Sequence, residues 1–132
     1  MFESYQAYYQ AVAKPFFAAP EWMFGLAWGI IYPLIAIAFV YFLYLLRRRR
    51  VPQVLLWVFI ANLIGNLLFT KIQLSYAHTI LPTLDILVVL GTLAYFEWRI
   101  WCHSKIIFAL LLPYLLWGLY ATVLQVAIFT MN

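Results

Sequence analysis

The hydrophobic and polar positions divide the chain into four long apolar runs, separated by short charged or proline-bearing interruptions. The first extends from about residue 23 to 46 and stops at Arg47-Arg48-Arg49-Arg50, guanidinium groups that hydrocarbon does not accept cheaply. The second opens near Pro52, a residue suited to a helix's first turn, and runs to about residue 70, where Lys71 closes it. The third covers about 79–98, with Pro82 in its first turns and Glu97-Trp98-Arg99 at its end, and the fourth about 105–129. Each run suits a hydrocarbon core about 30 Å thick, which takes ~20 residues of helix. Ahead of them Phe2, Tyr5, Tyr9 and Val12 recur at helical spacing against Glu3, Ser4, Gln6 and Gln10. That pattern is amphipathic but too short to span, which predicts an interfacial helix. Lys14-Pro15 and Pro20 break it, so residues 1–22 read as an interfacial segment and loop. The expected fold is one all-α integral membrane domain over residues 1–132, a four-transmembrane-helix bundle.

Composition sharpens this picture. Of 132 residues, 68% are apolar and 9% charged, against about 45–50% and about 25% in soluble chains. The spans leave no room for a soluble domain. The net charge of +4 does not imply nucleic acid, because basic residues scattered between spans make no basic face. It bears on topology instead. Of the eight Lys and Arg residues, Arg47 to Arg50, Arg99 and Lys105 fall on one side, and only Lys14 and Lys71 on the other. The positive-inside rule then predicts a cytoplasmic Arg47–Arg50 loop and both termini outside, with the inner membrane of a bacterial cell as the expected location. Trp22, Trp57, Tyr76, Trp98 and Trp101 near the span ends fit an aromatic belt. Residues 1–6 lack the basic and apolar regions of a cleavable signal, so the mature chain is expected to begin at Met1. The lone Cys102 excludes an intrachain disulfide.

Few residues carry candidate chemistry. Asp85 lies about a third of the way into the third span, where an ionised carboxylate costs roughly 2.5–3.5 kcal/mol. It reads either as a ligand or proton site or as a buried polar group bonded to a neighbouring backbone. Asn62 and Asn66 share one face of the second span beside Gly65, and Gln125 adds an amide in the fourth. Such amides join helices at roughly 0.6 kcal/mol each, so helix glue is the plainer reading and ligand contact the other. Gly25 and Gly29 form a GxxxG that permits close helix approach, to a second copy or, preferably, within the bundle. Pro33 and Pro113 kink their helices, and a kinked pair can splay around a cavity. Tyr114, Trp117 or Gly118, Ala121 and Gln125 make a helical stripe suited to a flat ligand. His78 and His103 stand at opposite ends of the third span, too far apart to share a metal, and read as interfacial histidines or, singly, as an axial haem ligand. No catalytic triad, phosphate loop or metal spacing is present, which points to a protein that is not an enzyme.

Two segments resemble a known family. Tyr9 to Tyr32, with Lys14-Pro15, Pro20, Trp22, Gly25, Trp28 and Tyr32, resembles the KP-x(4)-P loop and W-x-x-x-Y helix of the translocator proteins or tryptophan-rich sensory proteins, the TspO/MBR family. Pro113-Tyr114, Trp117, Ala121 and Leu124 resemble its PY-x-x-W-x-x-x-A-x-x-L-N signature. The likeness is to a short form, lacking the first of five helices and carrying Gly65 for a tryptophan, an alanine for one loop proline and Gln125 for the last Asn. It implies a helical bundle, usually dimeric, with a pocket for porphyrins and other flat hydrophobic molecules. Trp28 and Tyr32 would form one wall, Trp117 and Ala121 the opposite wall, and Lys14, Pro15 and Pro20 the lid.

Two functions are expected from this reading. One is a membrane-embedded sensory or regulatory binding protein for a porphyrin, haem or another tetrapyrrole, with no covalent cofactor and with ligand contacts at Lys14, Pro15, Pro20, Trp28, Tyr32, Asn62, Asp85, Trp117, Ala121 and Gln125. The other is an accessory subunit that docks a larger pigment-protein complex through the flank left by the missing helix. A four-helix transporter fits the size but expects a carboxylate in its first span, and none is there. The partners expected are the lipid bilayer, a hydrophobic small molecule, and a second copy or a heteromeric membrane complex, but no nucleic acid.

Overall fold

The computed structural model describes residues 5–76 and 79–131. Five helices follow in order: α1 Tyr5–Ala11, α2 Glu21–Arg47, α3 Val54–Ser75, α4 Leu81–Ile100 and α5 Lys105–Met131. The four long ones contain 27, 22, 20 and 27 residues, or roughly 30–40 Å at 1.5 Å per residue. All four are long and apolar enough to cross a membrane. Their outer faces carry Leu26, Val40, Leu67, Leu116 and Val123, all more than half exposed. This is a surface that lipid accepts and water does not.

Heptad-like spacing selects the inner face of α2. Phe24, Trp28, Ile31, Ile35, Ala38, Phe42 and Leu45 follow steps of 4, 3, 4, 3, 4 and 3, and all are buried except the half-buried Trp28. Because bulky residues hold this seam, Gly25 and Gly29 fall outside it, and a Cβ added at either meets nothing within 4 Å. The expectation that they admit a neighbouring helix of the same bundle is therefore corrected. Close approach occurs at Gly65 instead, where an added Cβ would stand 3.0 Å from Val89 Cγ2 on α4.

α3 packs on α4, α4 on α5, and α5 on α2. α2 and α3, the ends of this open ring, meet mainly through side chains. Phe39 and Phe42 of α2 reach Phe59 of α3 at centroid distances of 4.9 and 5.9 Å, and Phe96 of α4 completes the cluster at 5.0 Å from Phe59 and 5.5 Å from Phe42. Leu45, Leu55, Ile100, Ile107 and Leu111 fill the space around these rings. The half of the bundle toward the Arg run is thus densely packed.

Three local features differ from the pattern-based reading. α3 continues past Lys71 to Ser75, since the exposed Lys71 side chain leaves the hydrocarbon without ending the helix. Glu97, read as marking a span end, is buried inside α4 at 2% exposure with neither carboxyl oxygen hydrogen-bonded. Tyr9 of α1 and Val12 just beyond it, of the face expected on lipid, are buried together with Tyr8 against Phe24, Leu124 and Ile128. Phe2 lies outside the described residues. The Arg run itself closes α2: Arg49 takes φ 57°, and the Arg50 N–H bonds the Leu45 carbonyl at 2.9 Å, a Schellman-type end beside the negative pole of the helix dipole.

These contacts predict opposite responses at two glycines. Gly65→Leu forces α3 from α4 and lowers stability by about 1–3 kcal/mol, whereas Gly29→Leu on the open face changes it by less than about 0.5 kcal/mol. Thermal unfolding followed by circular dichroism in detergent reads both, and equal effects at the two sites would contradict the packing described.

Candidate functional site: an aromatic cavity with a polar floor

Above the packed half, toward the ends of α2 and α4 that follow Pro20 and Ile80, the four long helices enclose a cavity of about 290 Å³. Aromatic contacts build its walls. Trp28 stacks on Tyr32 at 5.1 Å and meets Tyr114 edge-on at 6.2 Å, while across the cavity Phe24 meets Trp117 edge-on at 5.3 Å. Among the described residues no Lys, Arg, Asp, Glu or His lines it, and most of the lining is apolar.

A string of hydrogen bonds separates the cavity from the packed half. The Tyr32 hydroxyl donates to Asn66 Oδ1 at 3.1 Å, Asn66 Nδ2 donates to the Tyr114 hydroxyl at 2.8 Å, and that hydroxyl donates to Asn62 Oδ1 at 2.8 Å. Asn62 Nδ2 ends the string on the Val89 carbonyl at 2.8 Å and Thr92 Oγ1 at 3.1 Å. It touches all four long helices, and each side-chain amide in it is nearly or fully satisfied.

At the far end of the cavity the polar groups are not all satisfied. Gln73 Nε2 donates to Gln125 Oε1 at 2.7 Å, yet Gln73 Oε1, Gln125 Nε2 and Trp117 Nε1 are buried with no hydrogen-bond partner among the described residues. Such atoms cost about 1–3 kcal/mol each when left unpaired. The Tyr8 hydroxyl of α1 stands beside Gln73, and burial pushes its pKa above the ordinary value, keeping it neutral.

The loop over this end is tied down from two sides. The Tyr120 hydroxyl donates to the Phe17 carbonyl at 3.0 Å and accepts from the Ala19 N–H at 2.7 Å, while the Tyr9 hydroxyl donates to the Ala19 carbonyl. Lys14 Nζ donates to the Tyr9 and Val12 carbonyls and lies 4.9 Å over the Tyr9 ring, closing the end of α1.

Among the residues singled out from the sequence, Trp28, Tyr32, Trp117, Ala121 and Gln125 come together around the cavity, with Gly25 at its edge. Asn62 lies below it in the hydrogen-bond string, and Asp85 stands half-buried near Gly65 with Oδ2 unpartnered. Lys14, Pro15 and Pro20 belong to the loop and do not line the cavity. His78 lies outside the described residues, and among those described no three His, Cys, Asp or Glu side chains gather as a metal site needs. Reading the sequence missed Gln73, because the span was ended at Lys71, and Phe24, Tyr9 and Tyr120, whose roles depend on contacts distant in the chain.

An all-helical bundle crossing the membrane around an uncharged, aromatic-walled cavity defines the class. The sequence pattern of the TspO/MBR family matches residues 1–131. The tryptophan-rich protein TspO of Archaeoglobus fulgidus is 37% identical over 137 residues, covering 98% of this chain and 83% of its own length. The protein of the same description from Bacillus cereus is 32% identical over 132 residues, covering 96% and 82%. This chain belongs to the TspO/MBR family and is an integral membrane protein.

The hydrogen-bond string generates a prediction. Tyr114→Phe removes the one hydroxyl shared by Asn62 and Asn66, leaving a buried donor and a buried acceptor unpaired, and lowers stability by about 1–3 kcal/mol in denaturant titrations in detergent. A loss below about 0.3 kcal/mol would mean that the string does not hold the helices.

Proposed function

We propose that this protein is a non-enzymatic, membrane-embedded binding protein, sensory or regulatory in role, for a flat hydrophobic ligand of the porphyrin or tetrapyrrole class. The supporting observation is the uncharged cavity between the Trp28-Tyr32 stack and Trp117. Ligand sites are concave, mostly apolar and about 300–1,000 Å³ in volume, and the cavity's 290 Å³ stands at the lower end. A space of ~150 Å³ holds one benzene ring, so four rings scale to on the order of 600 Å³. A tetrapyrrole therefore enters by one edge and leaves the remainder in the seam between α2 and α3, whose backbones are not closely packed. Stacking on each indole adds roughly 0.5–1.5 kcal/mol beyond burial. The double variant Trp28→Ala, Trp117→Ala is expected to weaken protoporphyrin binding at least tenfold in fluorescence titrations, with the phenylalanine pair retaining most of the affinity. Unchanged affinity would place the ligand elsewhere.

The open outer face at Gly25 and Gly29 favours a second reading, an accessory subunit whose α2 packs on a helix of a larger pigment-protein complex. Gly29→Leu leaves porphyrin affinity unchanged under the first reading and releases a co-purifying subunit from native membranes under the second.

In the orientation proposed, the Arg47–Arg50 loop is cytoplasmic, the termini are outside, and the cavity opens in the outer half of a bacterial inner membrane. The exposed Cys102, between α4 and α5, then lies on the cytoplasmic side. A membrane-impermeant maleimide is expected to label it only after permeabilisation, and labelling of intact cells would reverse the topology.

A further inference from the structure

The end of the bundle toward the Arg run carries a charge pattern that the cavity does not use. α2 and α4 finish here and α5 begins here, with Phe42, Leu45, Phe96, Ile100 and Ile107 packed together just inside. Around this plug stand Arg47 to Arg50, Arg99 and Lys105, six of the chain's eight basic residues. All are exposed except the half-buried Arg99. The sequence holds four carboxylates, Glu3, Glu21, Asp85 and Glu97. Glu21 and Asp85 lie toward the opposite ends of α2 and α4. Glu97, the one acidic residue at this end among those described, is buried with neither oxygen hydrogen-bonded. Aromatic rings, not carboxylates, hold three of the cations. Arg48 lies 5.6 Å over the Tyr44 ring, Arg99 lies 5.7 Å over the Tyr95 ring and donates to its hydroxyl at 2.7 Å, and Lys105 lies 4.8 Å over the Trp101 ring. In each pair the ring precedes the cation by four residues, and all three rings are exposed.

We propose that this face is a docking surface for acidic phospholipids, recognised through the phosphodiester headgroup. Arg99 and Lys105 on one side and the Arg47–Arg50 run on the other supply the charge, while Tyr44, Tyr95 and Trp101 fix its depth. Exposed tyrosine and tryptophan rings settle at the headgroup level of a bilayer, so a cation held over such a ring stands beside the lipid phosphates. Orientation of the chain needs only the charge; the ring beneath the cation adds the fixed depth. A ring face takes up charge but few N–H donors, and most of each guanidinium's donors stay available to a phosphate. Lys105 also opens α5, where the positive pole of the helix dipole disfavours a cation and favours an anion. An anionic headgroup there answers both. Each cation near an anionic lipid surface contributes about fivefold to the partition. A zwitterionic lipid carries the same phosphate with a choline cation beside it and presents no net charge.

The test uses the full chain in vesicles of phosphatidylglycerol and phosphatidylcholine, with an uncharged fluorophore on the exposed Cys102, which lies between Arg99 and Lys105. Either lipid carries a nitroxide near its headgroup, and quenching of the label gives the relative affinity of the two. Because one headgroup reaches one or two cations, phosphatidylglycerol is expected to be preferred about fivefold or more at low salt. The preference falls below about twofold in ~0.5 M NaCl, which screens charges beyond a few ångströms. Arg99→Gln with Lys105→Gln abolishes it while retaining the wild-type circular dichroism spectrum, and Lys71→Gln at the opposite end of the bundle leaves it unchanged. A label at Gln53→Cys in a Cys102→Ser background reads the Arg run in the same way, with Arg48→Gln and Arg50→Gln as the paired variant. Equal quenching by the two lipids in the labelled wild-type chain at low salt overturns the proposal, whatever the variants do. So does a preference that survives high salt or the double substitution. Exchanging chloride for inorganic phosphate at equal ionic strength leaves the preference intact if the occupant is lipid; its loss would assign the cations to free phosphate and overturn the lipid surface.

Discussion

The hydrogen-bond string from Tyr32 through Asn66, Tyr114 and Asn62 to the α4 backbone is the constraint on which the rest of the bundle depends. In lipid, apolar helix faces gain little by turning from acyl chains to one another, so association rests on close packing and interhelical hydrogen bonds. Each bond is modest, but a string that shares the Tyr114 hydroxyl fixes the axial register of α5 against α3. It also sets α2 in place through one hydroxyl, where backbone packing with α3 is slight. The two asparagines are four residues apart because a helix brings every fourth residue to the same face.

That polar layer divides the molecule into two halves with different properties. On the Arg side, Phe39, Phe42, Phe59 and Phe96 interlock and the remaining aliphatic side chains fill the space between them. On the other side, tryptophan, tyrosine and phenylalanine line the walls without filling the centre. One half is filled by interlocking side chains and the other keeps an open volume. The string lies between them as a floor whose members are already paired, whereas buried polar atoms without a partner among the described residues lie elsewhere, at Gln73, Gln125 and Trp117 and at Thr83, Asp85 and Glu97 of α4.

The N-terminal segment belongs to the same design. Tyr8 and Tyr9 of α1 and the following Val12 are buried against the end of the cavity, and two tyrosine hydroxyls, from α1 and α5, bond the loop's backbone. A loop near the membrane surface has peptide groups that neither helix nor lipid satisfies, and these hydroxyls meet that need. Lys14 bonds the Tyr9 carbonyl of α1 and the Val12 carbonyl just beyond it, which accounts for its place at the end of that helix.

Hydropathy and motif by themselves determined much of this protein: four helical spans, their order, the charge asymmetry of the loops, the family, and the gathering of Trp28, Tyr32, Trp117, Ala121 and Gln125 around one site. These are properties of local composition and of period 3.6, which a chain carries wherever it is placed. Tertiary structure alone decided which face of each helix turns inward and which polar groups find partners. Gly25 and Gly29 carried an interface pattern yet lie on the open side, because the heptad of bulky residues from Phe24 to Leu45 fills the seam. Lys71 ended the hydrophobic run without ending the helix, and so Gln73 was hidden from the sequence reading. Its partner Gln125 is 52 residues away. Whether a buried amide is satisfied depends on the distance between two chain segments, and no pattern within one segment contains that distance.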